Sequence, residues 1–227
     1  MEKGHAILEL VEAVPRESRA SLSLQIRAGE FVLIQCRDPA WATAFAEFCC
    51  GLLPPQEGVV RFYGLEWTRL SSAHAAALRG RIGRIFSEGG WINFLDTETN
   101  ILLSQLHHTR RSRSDLRSAA VSLAHDFGLP GLPTDLPSTL SPGDLARASC
   151  VRAFLGEPLL LVLESPLHAQ YQDLALPLIN AALAACNRSA AVLWLTPGDV
   201  VWTDRSTPAS ARLRLSEQGL TRVRGVA

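Results

Sequence analysis

Apolar positions along this chain follow two rhythms. Over residues 6–14 and 21–26 apolar and polar side chains alternate, the period-two signature of half-buried strands. Ala28-Gly29-Glu30 then turns into Phe31-Val32-Leu33-Ile34, an unbroken apolar run that predicts a strand buried on both faces. Residues 35–40 read as loop, and 41–53 as a helix stopped by Pro54-Pro55. The pattern next predicts a strand over 59–63, an alanine-rich helix over 71–79 and a short strand over 84–86. Between Ser87 and Leu140 helices alternate with polar loops, and Pro130, Pro133 and Pro137 mark a linker. Beyond it come a helix over 144–155, an apolar strand over 159–163, a helix over 172–186 and a strand over 190–195. A hairpin around Gln218-Gly219, with arms 211–215 and 220–223, ends the pattern. Strand alternating with helix predicts an α/β fold on a parallel sheet, with a helical insertion near its middle.

Composition narrows the function classes. The chain has 227 residues, 47% of them apolar, and its 22 basic and 22 acidic side chains cancel. That length suits one large domain, and the balance excludes a strongly basic nucleic-acid binder. The longest apolar candidate, residues 174–186, is broken by Pro177 and Asn180, well short of the roughly 20 residues that span a bilayer. Met1-Glu2-Lys3-Gly4-His5 does not read as a secretory signal, because no apolar core follows a basic start. Five cysteines form no C-x-x-C pair, which suits a reducing compartment. The adjacent Cys49-Cys50 reads as packing on an apolar helix, and the six histidines lack metal-ligand spacing. Lys3 is the only lysine. Neither a G-x-S-x-G elbow nor a G-x-G-x-x-G run occurs, which removes the usual hydrolase and dinucleotide readings.

Several stretches stand in collinear order. Residues 28–34 match a strand entering a phosphate loop, and Gly51-Leu52-Leu53-Pro54-Pro55 with Glu57-Gly58 matches the exit of the following helix. Leu140-Ser141-Pro142-Gly143-Asp144 stands at an LSGGQ-type signature, followed at family spacing by Arg147, Arg152-Ala153, Gly156 and Pro158. Leu160 to Pro166 stands at a Walker B position. Over nearly its whole length the chain resembles the ATP-binding cassette of ABC transporters. The resemblance implies a P-loop NTPase-like (RecA-like) parallel sheet core with an N-terminal antiparallel β subdomain and an inserted helical subdomain. It implies a single nucleotide-binding domain over 1–227, with the core at about 1–87 and 149–227 and the helical part at about 88–148.

The chemistry of the motif positions departs from that family. A phosphate loop works because glycines let backbone N–H groups curl around phosphate while a lysine supplies charge. Here Cys36 and Trp41 stand at the two glycine positions, Pro39 has no N–H to give, and Ala42 replaces the lysine. Losing an ammonium 4 Å from a phosphate forfeits about 4 kcal/mol at an effective dielectric near 20. Asp38 brings a negative charge, the indole of Trp41 is expected to fill the cradle, and only Thr43, a magnesium-binding hydroxyl in the family, matches. At the Walker B position the family's Asp-Glu pair is Glu164-Ser165, and Ser165 cannot act as a general base at neutral pH. Ser87 stands at the Q-loop glutamine, Pro197 at the switch histidine and Tyr171 at the D-loop aspartate. Residues 1–30 contain no Phe, Trp or Tyr to stack on adenine.

The expected function is therefore that of a degenerate, non-catalytic cassette subunit of a membrane ABC transporter, a pseudo-ATPase without ATP or magnesium as cofactor. Such a subunit dimerises with itself or with an intact cassette and sits at the cytoplasmic face of the cell membrane. Leu140, Ser141 and Gly143 keep part of the signature that would complete a partner's site, although Pro142 and Asp144 weaken it. Glu88-Gly89-Gly90-Trp91 with Phe94 resembles the stretch that grips a permease, with a surface loop around one buried tryptophan as the plainer reading. Its wording points to the lipid- and solvent-handling group. The basic run from His107 to Arg113 reads as a solvated loop rather than a lipid-binding patch. Two alternatives stand beside the main reading: a weakly active ATPase using Thr43 and Glu164 on magnesium, and a cytosolic scaffold that has left the transporter.

Overall fold

Two sheets carry the architecture. The computed structural model describes residues 4–223, apart from 17–19, 89, 168, 199, 205 and 206. An antiparallel sheet pairs β1 (Ala6–Val14) with β2 (Leu22–Arg27) on one side and with β4 (Glu57–Phe62) on the other. The short β5 (Leu65–Glu66) extends it in the order β2-β1-β4-β5. The second sheet contains β3 (Phe31–Gln35), β6 (Ile82–Ile85), β7 (Leu160–Glu164), β8 (Ala191–Thr196), β9 (Ala211–Ser216) and β10 (Gly219–Arg222). Its order is β10-β9-β3-β8-β7-β6, parallel throughout except for the β9–β10 hairpin. The architecture is thus the expected parallel core with an antiparallel β subdomain, to which β4 contributes as well as the N-terminal strands.

The unbroken apolar runs explain why β3, β7 and β8 lie in the middle of the larger sheet. Phe31, Leu33, Leu161, Leu163, Val192 and Trp194 face one apolar cluster, packed against the helices of the second half of the chain. Val32, Ile34, Leu160, Val162, Leu193 and Leu195 face a second cluster shared with the antiparallel sheet and the first helix. A strand covered on both faces needs apolar side chains at every position, which is what these runs supply.

The helices differ from the predicted ranges for local reasons. Helix α1 spans Pro39–Cys49, starting two residues early because Asp38 caps it and Pro39 fits the first turn. It ends where Gly51 takes a φ of +67°, and a Cβ there would lie 2.3 Å from the Trp67 ring. Helix α2 is Ser72–Arg79, capped by Ser71. The insertion holds α3 (Thr97–His108), α4 (Arg113–Asp126) and α5 (Pro142–Phe154), and α5 runs straight across the expected boundary at 148. The single helix expected over 172–186 is instead a 3₁₀ segment, Ala169–Leu174, followed by α6 (Ala175–Asn187). Tyr171 breaks it with φ −140° and ψ 58°. Strand β6 is set two residues earlier than predicted because Ile82–Ile85 pair with Leu160–Leu163. No helix among the described residues is long and apolar enough to cross a membrane.

Candidate functional site

The loop between β3 and α1 brings the first group of motif positions together. Asp38 is the N-cap of α1, and its Oδ1 accepts hydrogen bonds from the N–H groups of Ala40 (2.9 Å) and Trp41 (3.3 Å). Those are two of the donors a helix N-terminus offers to an anion, and the chain's own carboxylate already holds them. The expectation for Trp41 is corrected here: the residue on the amides is Asp38. Trp41 is half-buried and packs against the apolar cluster beneath α1, with Nε1 buried and unpartnered. Ala42, at the lysine position, is buried in that cluster. Cys36 is buried as well, its Sγ hydrogen-bonded to the Asp38 carbonyl at 3.3 Å, and burial pushes its thiol up to about 11.

One turn further on, Thr43 meets the other motif strands. Its Oγ1 lies 3.2 Å from Ser87 Oγ, so the hydroxyls at the magnesium and Q-loop positions touch. Glu164 ends β7 with its side chain 1% exposed, and Arg84 of β6, 8% exposed, donates from Nε to Glu164 Oε1 at 2.5 Å. Burial raises the Glu164 carboxyl above its ordinary range, while the Arg84 hydrogen bond and charge, and then the Thr43 hydroxyl, pull it back. Glu164 Oε2 and Arg84 Nη2 are buried without a hydrogen-bond partner among the described residues. The Arg84 guanidinium also lies 4.4 Å over the Phe86 ring. Sequence reasoning missed Arg84. The available signal was a lone cation inside a four-residue strand that pairs with the Walker B strand.

The remaining motif positions are placed as follows. Ser165 takes a φ of +42° and donates its N–H to the Leu195 carbonyl at 2.9 Å. Pro197 follows β8, and its carbonyl accepts from Gln35 Nε2 at 3.5 Å. Ser141 caps α5: its Oγ accepts from the Asp144 N–H at 3.1 Å and donates to Asp144 Oδ2 at 2.8 Å. Leu140 and Gly143 beside it are half-buried. In the stretch after the Q-loop position, Glu88 is exposed and Phe94 is 84% exposed, while Gly89 lies outside the described residues. Trp91 is half-buried against the core, with the Arg152 guanidinium 4.1 Å over its ring. Phe94 is therefore the protruding aromatic of the stretch. A groove of about 600 Å³ opens nearby, lined in part by Arg79, Phe86, Leu103, His107 and Arg152. Among the described residues no His, Cys, Asp and Glu cluster could hold a metal ion.

The fold that brings these positions together is matched in known proteins. The profile of the family described as ABC transporter matches residues 20–168, well over half of the chain. The chain belongs to the ABC transporter family. The cassette fold is shared with a dimeric structure of MJ0796, a bacterial ABC transporter cassette, at a TM-score of 0.80 and 17% identity over 96% of this chain and 99% of that one. A curated relative, the intermembrane phospholipid transport system ATP-binding protein MlaF of Haemophilus influenzae, is 27% identical over 66% of this chain and 57% of its own length. The lipoprotein-releasing system ATP-binding protein LolD 1 of Chlorobium chlorochromatii is 28% identical over 73% of this chain and 68% of its own. The match thus spans little more than half the length of the first of these relatives.

Proposed function

We propose that this chain is a non-catalytic cassette subunit of a membrane ABC transporter that handles lipid or lipid-linked cargo. The observation that carries the proposal is the Asp38 carboxylate on the α1 amides, the seat a phosphate would need. Ala42 supplies no charge there, and the Arg84 guanidinium is paired with Glu164. The residues present do not fit a nucleotide with its magnesium, so no hydrolytic step is assigned to them. The cargo class is supported by relatives named for phospholipid transport and lipoprotein release.

In this reading the subunit is peripheral at the cytoplasmic face of the membrane and contacts its permease through Phe94 and Glu88, with Trp91 packed behind them. It pairs with a second copy or with an intact cassette. Equilibrium titration with a fluorescent Mg-ATP analogue tests the non-catalytic part. No saturation is expected up to millimolar analogue; submillimolar binding that depends on residues 36–43 overturns it. Purification from membranes in mild detergent tests the transporter part: a multi-pass membrane protein should accompany the chain, and its absence transfers the reading to a scaffold.

A further inference from the structure

We infer that Arg84 is a built-in replacement for a divalent cation, its guanidinium supplying the counter-charge of the buried Glu164 carboxylate that Thr43 and Ser87 adjoin. The inference rests on reading this cleft as a former nucleotide–magnesium site, and it adds what now fills the cation position.

Three oxygen-bearing side chains converge from separate elements. Glu164 comes from the end of β7, Thr43 from α1 and Ser87 from the segment after β6, with the two hydroxyls 3.2 Å apart. A buried carboxylate beside neutral oxygens is the donor set a hard cation prefers, and a carboxylate at 1% exposure requires a counter-charge. Here the neighbouring strand supplies that charge. Arg84 stands opposite Val162 in the β6–β7 register, two residues before Glu164, so its long side chain reaches along β7 to the carboxylate. Phe86 backs the guanidinium at 4.4 Å.

The pair uses one nitrogen and one oxygen rather than a parallel fork. Glu164 Oε2 is left without a partner, an acceptor available to a cation once the guanidinium is gone. A guanidinium is tethered covalently to the chain, so the position stays filled whatever the magnesium concentration. An exchangeable, metal-gated site becomes a permanent internal ion pair.

Manganese uptake by the full-length chain, followed by electron paramagnetic resonance, tests this. Wild-type protein is expected to leave the free Mn²⁺ signal undiminished. Arg84→Met keeps a long apolar side chain against Phe86 and is expected to take up one Mn²⁺ per chain at least about ten-fold more tightly, with Glu164→Gln added to it abolishing the gain. A folded Arg84→Met that binds no more Mn²⁺ than wild type overturns the inference. So does wild-type uptake that disappears in Glu164→Gln.

If Arg84→Met does not fold, the wild-type melting temperature in magnesium chloride against sodium chloride of equal ionic strength decides. An unchanged value supports the assignment, and a rise sinks it. Metal-independent binding of the ATP analogue by wild type would remove the functional reading yet leave Arg84 in place, whereas wild-type manganese uptake would do the reverse.

Discussion

At the scale of single residues, one carboxylate governs the start of α1. Asp38 reads in the sequence as a repulsive charge beside incoming phosphate, and in the structure it satisfies the amides that phosphate would use. The distinction matters for energetics, because an N-cap stabilises the native chain whether or not a ligand is present. Asp38→Ala is expected to lower stability by about 1 kcal/mol in urea denaturation, and Asp38→Asn by only a few tenths of that. In the proposed non-catalytic reading neither change confers nucleotide binding, since Ala42 still provides no ammonium. Arg84 and Glu164 show the same logic with higher stakes: the pair is buried, and removing one member leaves an uncompensated charge.

At the scale of elements, caps and register determine where chemistry can sit. Helix α3 is capped by Asp96, whose Oδ1 accepts from the Thr99 N–H at 2.6 Å and whose Oδ2 accepts from the Thr99 hydroxyl at 2.9 Å. The backbone hydrogen bond, ahead of a smaller opposing effect of burial, lowers the Asp96 carboxyl below its ordinary range. A carboxyl depressed in the folded state contributes stability that is complete above its unfolded pKa and is lost as pH falls through the folded value. Asp96→Ala should therefore cost about 1 kcal/mol at neutral pH, with the difference from wild type shrinking below about pH 4. Denaturation curves across that pH range check it; a constant difference would mean that the charge of Asp96 is irrelevant to the cap. Register matters equally at β6. Gly83 is required where α5 crosses, since a Cβ would lie 1.9 Å from the Ala153 carbonyl oxygen, and that close approach holds Arg84 beside β7.

At the scale of the whole molecule, burial on both faces of the larger sheet sets the reactivity of the thiols. Burial raises Cys36 and Cys186 to about 11 and Cys50 and Cys150 to about 12, and pushes Cys49 well above its ordinary value. At pH 8 a disulfide reagent should label the four buried cysteines of the native protein about a hundredfold more slowly than those of the denatured chain, and fast labelling of Cys36, Cys49, Cys50 or Cys150 would contradict its burial. Much of the fold was legible beforehand. The alternating runs located β1 and β2, the continuous runs located β3, β7 and β8, and the collinear motifs joined them into a cassette. The reading of Cys36, Pro39, Trp41, Ala42, Ser165 and Pro197 as departures rests on the resemblance of the sequence to the family. The break at Tyr171 and the seat of Asp38 were not legible, since each depends on what surrounds the segment. Periodicity by itself determined which stretches must be covered, and the resemblance of the motifs determined the family. Tertiary structure alone decided that Arg84 meets Glu164, 80 positions away. The reason is physical: burial patterns are written locally by hydrophobicity, whereas a charge finds its partner only when parallel strands lie side by side in one register.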